Sequence, residues 1–450
     1  MLKHWIVLLV AAGSQVLFDE LYREANKTSE WQVSLRRELH RHPEVGLATH
    51  WTSERIAKEL KGFGIAYTAG WAKDGDEGGA GIVAHIGSGR EPVVLVRADM
   101  DGLPISEATG LPFASEVPGR MHACGHDVHT SVLLGAARLL KRREAGLKGT
   151  VRLMFQPGEE LGLGATLMVQ EGVLGKEPGS ASAKTASAKV ASAKVASAFS
   201  MHVMPMVPTG GFVATAGLQL AGGNHFTIVL SGVGGHAGAP AVARDPVVAA
   251  AALISGAQAL SSRETFGWGP ERHGLISFTQ ISTFGGATNA IPDGVSLKGT
   301  VRSGDPAVMM LMKARLQEMA ASLDAGYHIS STVEWMGDIP RLYNDPDLSL
   351  RHSDLVRYAN QGVSLPKFHF LYAMEDFAFV SDLVPSVTVA LGIGSGAQLP
   401  SHITTNTSLH NPKFAADERV MPKASALFAS LAISELEYRN TETRGKTQEL

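Results

Sequence analysis

The length, composition and charge of the chain exclude several classes of protein. It has 450 residues, 44% of them hydrophobic and 18% charged, with a formal net charge of −3. Such a chain can bury a large core and is long enough for two or three domains. Its weak negative charge argues against general binding to nucleic acid or to an anionic membrane, so we expect a small-molecule substrate.

The N-terminal segment leaves the cellular location open. An apolar run from Trp5 to Ala12 is too short to span a bilayer. It fits the core of a signal peptide over residues 1–14, and it also fits the first turns of a helix packed on the body of the protein. Sequons at Asn26 and Asn406 would be used only in a secretory compartment. We therefore predict either a secretory or ER-lumenal protein, if 1–14 is a signal peptide, or a cytoplasmic one.

The first half of the chain alternates helices with short apolar strands. The spacing predicts helices over 16–41, where His42-Pro43 ends the helix, 51–60 and 130–143, and strands over 81–86, 92–97 and 150–155. This alternation is typical of an α/β layer structure, so we predict a mostly parallel central sheet flanked by helices. In such sheets the functional residues follow the carboxyl ends of the strands.

Residues 181–198 differ from their surroundings. They read ASAKT-ASAKV-ASAKV-ASA, a five-residue repeat of small and cationic side chains. A period of five fits neither one face of a helix nor a strand. We therefore predict a flexible, low-complexity surface insertion.

A second pattern begins at residue 217. Predicted strands over 224–230, 274–280, 295–302 and 331–335 are interleaved with predicted helices over 246–261 and 307–323. This order indicates a compact α+β domain inserted over 217–336. The catalytic domain then comprises 15–216 and 337–440, and a flexible tail follows over 441–450.

The densest polar cluster is Met121–His129, which reads MHACGHDVH. Three imidazoles, one thiol and one carboxylate in so short a stretch are unfavourable in a core unless they are paired or bind a metal. Cys and His are ligands of Zn, Mn, Co and Ni. Cys124 and His126 are two residues apart, so on an extended segment both side chains would face the same point. The cluster predicts a metal site.

A second cluster, Glu159-Glu160, follows a predicted buried strand. Adjacent carboxylates at a strand end can divide their work, one binding metal and the other taking a proton from water. A solvated acidic turn would look the same in isolation. His202 and His410 lie in apolar surroundings, and spacing alone leaves each of them either a ligand or a core histidine.

Taken together, the motifs resemble the M20 metallopeptidase family, in the amidohydrolase branch that contains N-acyl-amino-acid, hippurate and auxin-conjugate hydrolases. The resemblance extends from about residue 31 to 436. It rests on eight motifs in family order: Leu39–Gly46, Arg97–Pro104, Met121–His129, Phe155–Glu160, Gly234–Gly238, Asn289–Asp293, Met374–Phe379 and Leu409–Pro412.

The resemblance implies a site with two divalent metal ions, of which Mn, Zn, Co and Ni are candidates. The implied ligands, with the cysteine bridging the two ions, are Cys124, His126, Glu160, His202 and His410. Glu159 is the implied general base, and Asp99 and Asp127 are implied to support the ligands without binding metal.

The resemblance also implies that the inserted domain is a lid and dimerisation domain, so we expect a homodimer. In that domain His236 would stabilise the oxyanion, from either subunit, and Asn289 and Arg302 would hold the carboxylate of the substrate.

The expected function is metal-dependent hydrolysis of the amide bond of N-acyl amino acids with acetyl, benzoyl or indole-acyl groups. The alternatives are a dipeptidase or aminopeptidase of the same superfamily, or a non-catalytic binding protein on this scaffold. A cysteine rather than an aspartate at position 124 favours the amidohydrolase branch, and the presence of Glu159 argues against a non-catalytic protein.

Overall fold

The computed structural model describes residues 2–175, 193–267, 269–361, 365, 370–394 and 408–448. Most of the repeat, residues 181–192, and the sequon at Asn406 lie outside the described residues. The chain divides into two compact units. Unit 1 is formed by the described parts of Met1–Gly217, Tyr343–Phe368 and Phe379–Leu450, and unit 2 by those of Leu218–Leu342 and His369–Ala378.

The helices and strands are numbered along the chain. The helices are α1 Leu2–Asn26, α2 Ser29–Arg41, α3 His50–Gly62, α4 His126–Arg142, α5 Gly164–Gln170, α6 Pro246–Ala259, α7 Pro306–Tyr327, α8 Pro346–Ala359, α9 Ala378–Ser381 and α10 Met421–Gln448. The strands are β1 Ala66–Asp74, β2 Glu77–Gly87, β3 Val93–Asp99, β4 Thr150–Gln156, β5 Val195–Met204, β6 Phe212–Val213, β7 Gly217–Leu220, β8 Gly222–Ser231, β9 Gly235–His236, β10 Leu275–Thr283, β11 Ala290–Ile291, β12 Gly294–Ser303, β13 Ser330–Ile339, β14 Leu342–Asn344 and β15 Ser386–Gly392.

Unit 1 is built on a seven-stranded sheet in the order β1-β2-β4-β3-β5-β15-β6. The four central strands, β4, β3, β5 and β15, are parallel, which confirms the predicted centre of the sheet. The outer pairs are antiparallel, so the sheet as a whole is mixed. Two residues join Asp74 to Glu77, and so short a connection allows only an antiparallel pair.

The core of unit 1 explains its sequence pattern. Every residue of β3 and β4 is buried, because helices cover both faces of the sheet. Strands of this kind read as continuous apolar runs rather than as alternating ones. Because β3, β4 and β5 are parallel, their carboxyl ends lie at one edge of the sheet.

The helix predicted over 16–41 is two helices, and the prediction of a single helix is wrong. The amides of Lys27 and Thr28 donate to the carbonyls of Glu24 and Ala25, which closes α1 in a turn. Thr28 is then the N-cap residue of α2. Threonine is favoured at an N-cap, and the helical spacing continues through the turn, so periodicity alone did not reveal the break.

Helix α1 packs against α10 in unit 1. Ser14 Oγ lies 2.9 Å from Ser434 Oγ, and Phe18 and Leu21 are buried. Across the described helices, none combines the length and the apolar character that crossing a membrane requires. The signal peptide over 1–14 stays a prediction.

Residues 195–198, the last of the repeat, were predicted to belong to a flexible insertion, and for these residues that prediction is wrong. They form the start of β5, where Val195 and Ala198 are buried. The reason is that β5 pairs with β3 on one side and with β15 on the other, and small side chains fit such a central strand. The two ends of the repeat-bearing segment meet, since Val195 N donates to Leu174 O at 3.0 Å.

Unit 2 is an antiparallel sheet of four strands, in the order β10-β12-β8-β13, with α6 and α7 packed on it. Each of these helices begins with an Asp-Pro pair. Asp245 accepts a hydrogen bond from Val247 N, and Asp305 accepts one from Ala307 N. Aspartate at the N-cap and proline at the first helical position both favour a helix start there.

The boundaries of unit 2 differ from the predicted 217–336. Residues 337–342 belong to it, and so do residues 370–378, which were predicted to lie in the catalytic domain. Leu371 explains the second difference, because its backbone exchanges hydrogen bonds with Gln219 and Ala221.

Candidate metal centre

The predicted ligands all lie in unit 1, near the carboxyl ends of its central strands. Asp99 ends β3, the Glu159-Glu160 pair follows β4, and His202 lies near the end of β5. Such strand ends are where open α/β sheets bind their ligands.

The turn between Cys124 and His126 depends on glycine. Gly125 has φ of +85°, and a Cβ there would lie 2.5 Å from Val203 Cγ2. His126 is already the first residue of α4, so the predicted extended segment is wrong. The two side chains nevertheless converge, because the left-handed glycine reverses the chain at the start of the helix.

Among the described residues, five groups of three side chains could hold a metal ion, and two of these groups contain Cys124. Cys124, His126 and His202 make one, and Cys124, Glu160 and His410 make the other, with the ligand atoms of each group within 4.8 Å of one another. Cys124 Sγ lies 3.5 Å from His202 Nε2, and His410 Nε2 lies 3.2 Å from Glu160 Oε1. The cysteine is common to both groups.

Several atoms of these groups face the centre without a hydrogen bond. Among the described residues, neither ring nitrogen of His126 makes an aligned hydrogen bond, although both are buried, and buried Glu160 Oε1 makes none either, its near polar neighbour being His410 Nε2. A buried polar atom without a partner costs about 1–3 kcal/mol. His202 is oriented for the same centre: its Nδ1 donates to Val203 O at 2.8 Å, which leaves the lone pair on Nε2.

His410 is held in a strained backbone conformation. Its φ is +63°, in the left-handed region that side chains other than glycine rarely adopt. Its backbone N–H donates to Ala123 O at 2.9 Å, beside Cys124. Strain of this kind is typical of functional sites.

Burial and neighbouring charges set the protonation of the ligands. Burial raises the pKa of the Cys124 thiol well above its usual range. Burial, with His129 and His126 nearby, lowers the pKa of His202 to about 3. Burial would raise the pKa of Glu160, but His410 and His126 lower it. A cation bound here would favour the thiolate, so its binding would be coupled to release of a proton from Cys124.

Glu159 and Glu160 are positioned by Asp101, which was not among the predicted site residues. Asp101 Oδ1 accepts the amide of Glu159 at 3.1 Å, and Oδ2 accepts that of Glu160 at 3.2 Å. Asp101 Oδ1 is also 3.4 Å from His126 Nδ1, and Glu159 Oε2 is 3.8 Å from His126 Nε2. The only signal in the sequence is that Asp101 is the second acidic residue of the Arg97–Pro104 motif.

Asp99 is held by a second unpredicted residue, His129. His129 Nδ1 donates to Asp99 Oδ1 at 2.6 Å, and its Nε2 accepts Val203 N at 2.9 Å. Both ring nitrogens are thus used in joining β3 to β5. Burial would raise the pKa of Asp99, but His126, His129 and Arg97 lower it well below its usual range. Asp99 therefore carries a negative charge 3.8 Å from His126 Nε2.

Asp127 turns its carboxylate towards helix α2. Its Oδ2 lies 2.7 Å from His40 Nδ1 and 2.8 Å from Arg36 Nε. Its carboxylate thus links the start of α4 to α2.

The remaining predicted residues lie in unit 2. His236 pairs with Ala290 on the β9–β11 ribbon, and Asn289 O accepts the amide of Ala237 at 3.0 Å. His236 Nδ1 accepts the amide of Gly238 at 2.9 Å. Arg302 is on β12, where its Nη1 donates to Tyr372 O at 2.7 Å.

A Cys, His and Glu set at strand ends, beside a second glutamate, is typical of a metal-dependent hydrolase. The family model for peptidase family M20/M25/M40 matches residues 95–434, so the chain belongs to this family. The predicted membership is confirmed, and the chain is a metal-dependent amidohydrolase.

Individual relatives agree with this assignment. The chain is 34% identical over 412 residues to N-acetylcysteine deacetylase of Bacillus subtilis, covering 90% of this chain and 97% of that protein. It is 34% identical over 413 residues to IAA-amino acid hydrolase ILR1-like 5 of Arabidopsis thaliana, covering 90% and 86%. The solved YXEP protein of Bacillus subtilis, described as a dinuclear metal binding peptidase from the M20 family, is 31% identical, with a TM-score of 0.72 over 92% of this chain and 99% of that one.

Proposed function

We propose that the chain hydrolyses the amide bond of N-acyl amino acids at a centre of two divalent metal ions. The observation that carries the proposal is the pair of three-residue groups that share Cys124. The description of a relative as dinuclear supports the same number of ions. The names of two relatives support an N-acyl or indole-acyl amino acid as substrate.

The donor set fits ions of borderline softness. One thiol, three imidazoles and one carboxylate suit Zn, Mn, Co or Ni better than Mg or Ca, which prefer oxygen ligands. His126 and His202 would hold one ion, Glu160 and His410 the other, and Cys124 would bridge them. The buried atoms of His126 and Glu160 that have no hydrogen-bond partner among the described residues support this assignment.

Two carboxylates with different surroundings divide the chemistry. Bound metal ions lower the pKa of water and polarise a carbonyl. Glu159 is the proposed general base: it takes a proton from the attacking water and passes it to the leaving amine. Asp101 fixes the backbone of Glu159 and Glu160 together, so the base and the ligand keep one relative position. Asp99 and Asp127 support the ligands through His129 and through the start of α4.

His236 is the proposed donor to the oxyanion, from either subunit of a dimer. Its Nδ1 accepts a hydrogen bond from Gly238 N, so in the neutral ring the proton is on Nε2. A donor with a fixed direction is what stabilisation of a developing oxyanion requires.

Arg302 and Asn289 are the proposed contacts for the substrate carboxylate. Arg302 Nη1 is engaged by Tyr372 O, whereas Nε is buried and has no hydrogen-bond partner among the described residues. Burial lowers the pKa of Arg302. A carboxylate would satisfy the guanidinium group and compensate its partly buried charge.

A homodimer through unit 2 is part of the proposal. Strand β10 is at an edge of its sheet, and its residues from 279 to 283 are exposed. Ile281 is 60% exposed and Phe284 48%, and Val248 on α6 is 53% exposed. An exposed edge strand beside apolar side chains is suited to pairing with a second copy.

The test is hydrolysis by chelator-stripped protein, with and without added Mn, Zn, Co or Ni. The substrates are N-acetyl, N-benzoyl and indole-acetyl amino acids, the same compounds with the carboxylate blocked as an amide, and simple dipeptides. We expect metal-restored cleavage of the acyl amino acids and much weaker cleavage of the blocked compounds. Cleavage of dipeptides alone would replace the proposal with a dipeptidase, and no turnover with any metal would contradict it.

A further inference from the structure

A fully buried histidine on α2 lies between two carboxylates. His40 Nδ1 is 2.7 Å from Asp127 Oδ2, and His40 Nε2 is 3.3 Å from Glu107 Oε2. His40 and Asp127 have no exposed side-chain surface, and Glu107 has 4%. Arg36 Nε binds the same oxygen of Asp127 at 2.8 Å. His40 belongs to the Leu39–Gly46 motif, to which the proposed chemistry gives no role.

One of the two carboxylates is next in sequence to a proposed metal ligand, and the other lies in a loop that contacts the segment carrying a second proposed ligand. Asp127 directly follows His126, and its Oδ1 accepts the amide of Val128 in the first turn of α4. Glu107 lies in the loop after β3, and the next residue, Ala108, donates its amide to Pro412 O at 2.8 Å. Pro412 is two residues after His410.

The loop that carries Glu107 and the loop that carries His410 are also packed together. Leu111 and Phe113 form a small buried cluster with Ala415. Glu107 Oε2 accepts the amide of Ser115 at 2.7 Å, which ties it to the backbone of its own loop. A displacement of Glu107 would therefore be passed on to the His410 loop.

We propose that His40 is a positioning residue that couples the start of α4 to the His410 loop and so fixes the distance between the two metal positions. The proposal rests on the proposed function, since it takes His126 and His410 as ligands of different ions. Asp127 Oδ2 and Glu107 Oε2 lie against the two ring nitrogens of His40, and Arg36 Nη2 lies 3.2 Å from Nδ1. Removing the ring breaks the link between the two carboxylates. Asp127 keeps its contact with Arg36, whereas Glu107 loses its histidine partner.

The surroundings of His40 act on its pKa in opposite directions. Burial and the charge of Arg36 act to lower the pKa of His40, but Asp127 and Glu107 raise it above its usual value. The ring centroid of His122 lies 6.3 Å from that of His40.

The test is a zinc titration of the metal-free full-length chain, in competition with a chromophoric chelator. The variants are His40→Ala and Glu107→Gln. The matched control is His352→Gln, because His352 is also a buried histidine against a buried carboxylate, 3.0 Å from Glu435 Oε2. Thermal unfolding of each metal-free variant is measured in parallel, so that a loss of stability is separated from a loss of zinc affinity.

We expect Glu107→Gln to weaken the binding of one of the two zinc ions by about tenfold and to leave the affinity for the other unchanged. His40→Ala should weaken the same ion at least as much, while the control loses stability and keeps its zinc affinity. Wild-type affinity for both ions in Glu107→Gln would overturn the proposal, even if His40→Ala fails to fold. A wild-type chain that binds fewer than two zinc ions would instead overturn the proposed metal centre, and this inference with it.

Discussion

His410 Nε2 lies 3.2 Å from Glu160 Oε1, and the backbone of His410 has a φ of +63°. A left-handed conformation at a residue other than glycine stores strain of about 1–3 kcal/mol. The strain is maintained by the hydrogen bond from His410 N to Ala123 O. The backbone at this position is therefore shaped for the centre rather than for stability.

The substitution His410→Gly separates the backbone strain at this position from the contribution of the imidazole. Glycine adopts φ of +63° without strain, so we expect the metal-free variant to be at least as stable as the wild type. Loss of the imidazole should weaken one of the two metal ions by about a hundredfold or more and abolish most of the activity. The checks are thermal unfolding without metal and zinc titration. A variant that is clearly less stable without metal, yet binds both ions normally, would show that His410 is structural.

Glu159→Gln tests the proposed base. The amide cannot take a proton from water, so we expect kcat to fall by at least about a hundredfold. The metal content should stay at the wild-type value, because Glu160 and the other ligands are intact. Glu116→Gln is the control, since Glu116 is 62% exposed and pairs with Arg41. Retained turnover in Glu159→Gln would assign the proton transfer to another residue.

Glu435 predicts how stability depends on pH. It is fully buried and accepts hydrogen bonds from Ser197, Arg351, His352 and Arg439. Burial would raise the pKa of Glu435, but its partners, His352 first among them, lower it to about 2. The difference between this pKa and the usual pKa of 4.5 corresponds to roughly 3 kcal/mol in the free energy of unfolding.

Because the pKa is lowered on folding, this stability is present above pH 4.5 and is lost as the pH falls towards 2. Glu435→Gln should therefore destabilise the chain at pH 7 and much less at pH 3. Urea unfolding at a series of pH values measures this, with the exposed Glu54→Gln as control. An equal loss of stability at both pH values would mean that the charge of Glu435 does not stabilise the fold.

Deleting residues 176–192 tests the predicted insertion. Val195 N donates to Leu174 O, and Arg152 donates to Val173 O and Ala193 O, so the flanks are held together without the deleted residues. With a linker of two glycines, we expect the metal content to be unchanged and kcat/KM to stay within roughly threefold of the wild type. Loss of one metal ion would show that the segment positions His202.

The sequence predicted the helices and strands better than it predicted the orientation of the side chains at the candidate metal centre. The strand over 150–155 was found as an apolar run, in agreement with its full burial, and the strand over 295–302 was found by its alternation. Strand β1 was missed, since AYTAGWAKD is mostly exposed and has no apolar alternation. The geometry at Cys124 was mispredicted because it depends on the left-handed Gly125.

Asp101 and His129 were missed for a related reason. Asp101 acts on backbone amides of Glu159 and Glu160, and His129 joins Asp99 to Val203. These contacts exist only once β3, β4 and β5 are side by side. Both residues lie within motifs of the sequence, but no pattern within one segment could indicate which groups they contact.

The most direct test of the account is a crystal structure of zinc-loaded protein, with anomalous scattering used to locate the ions. We predict two peaks, each about 2.3 Å from Cys124 Sγ. One peak should also be bound by His126 and His202, and the other by Glu160 and His410. A single peak, or two peaks of which one is not bound by Cys124, would contradict a centre built on a shared cysteine.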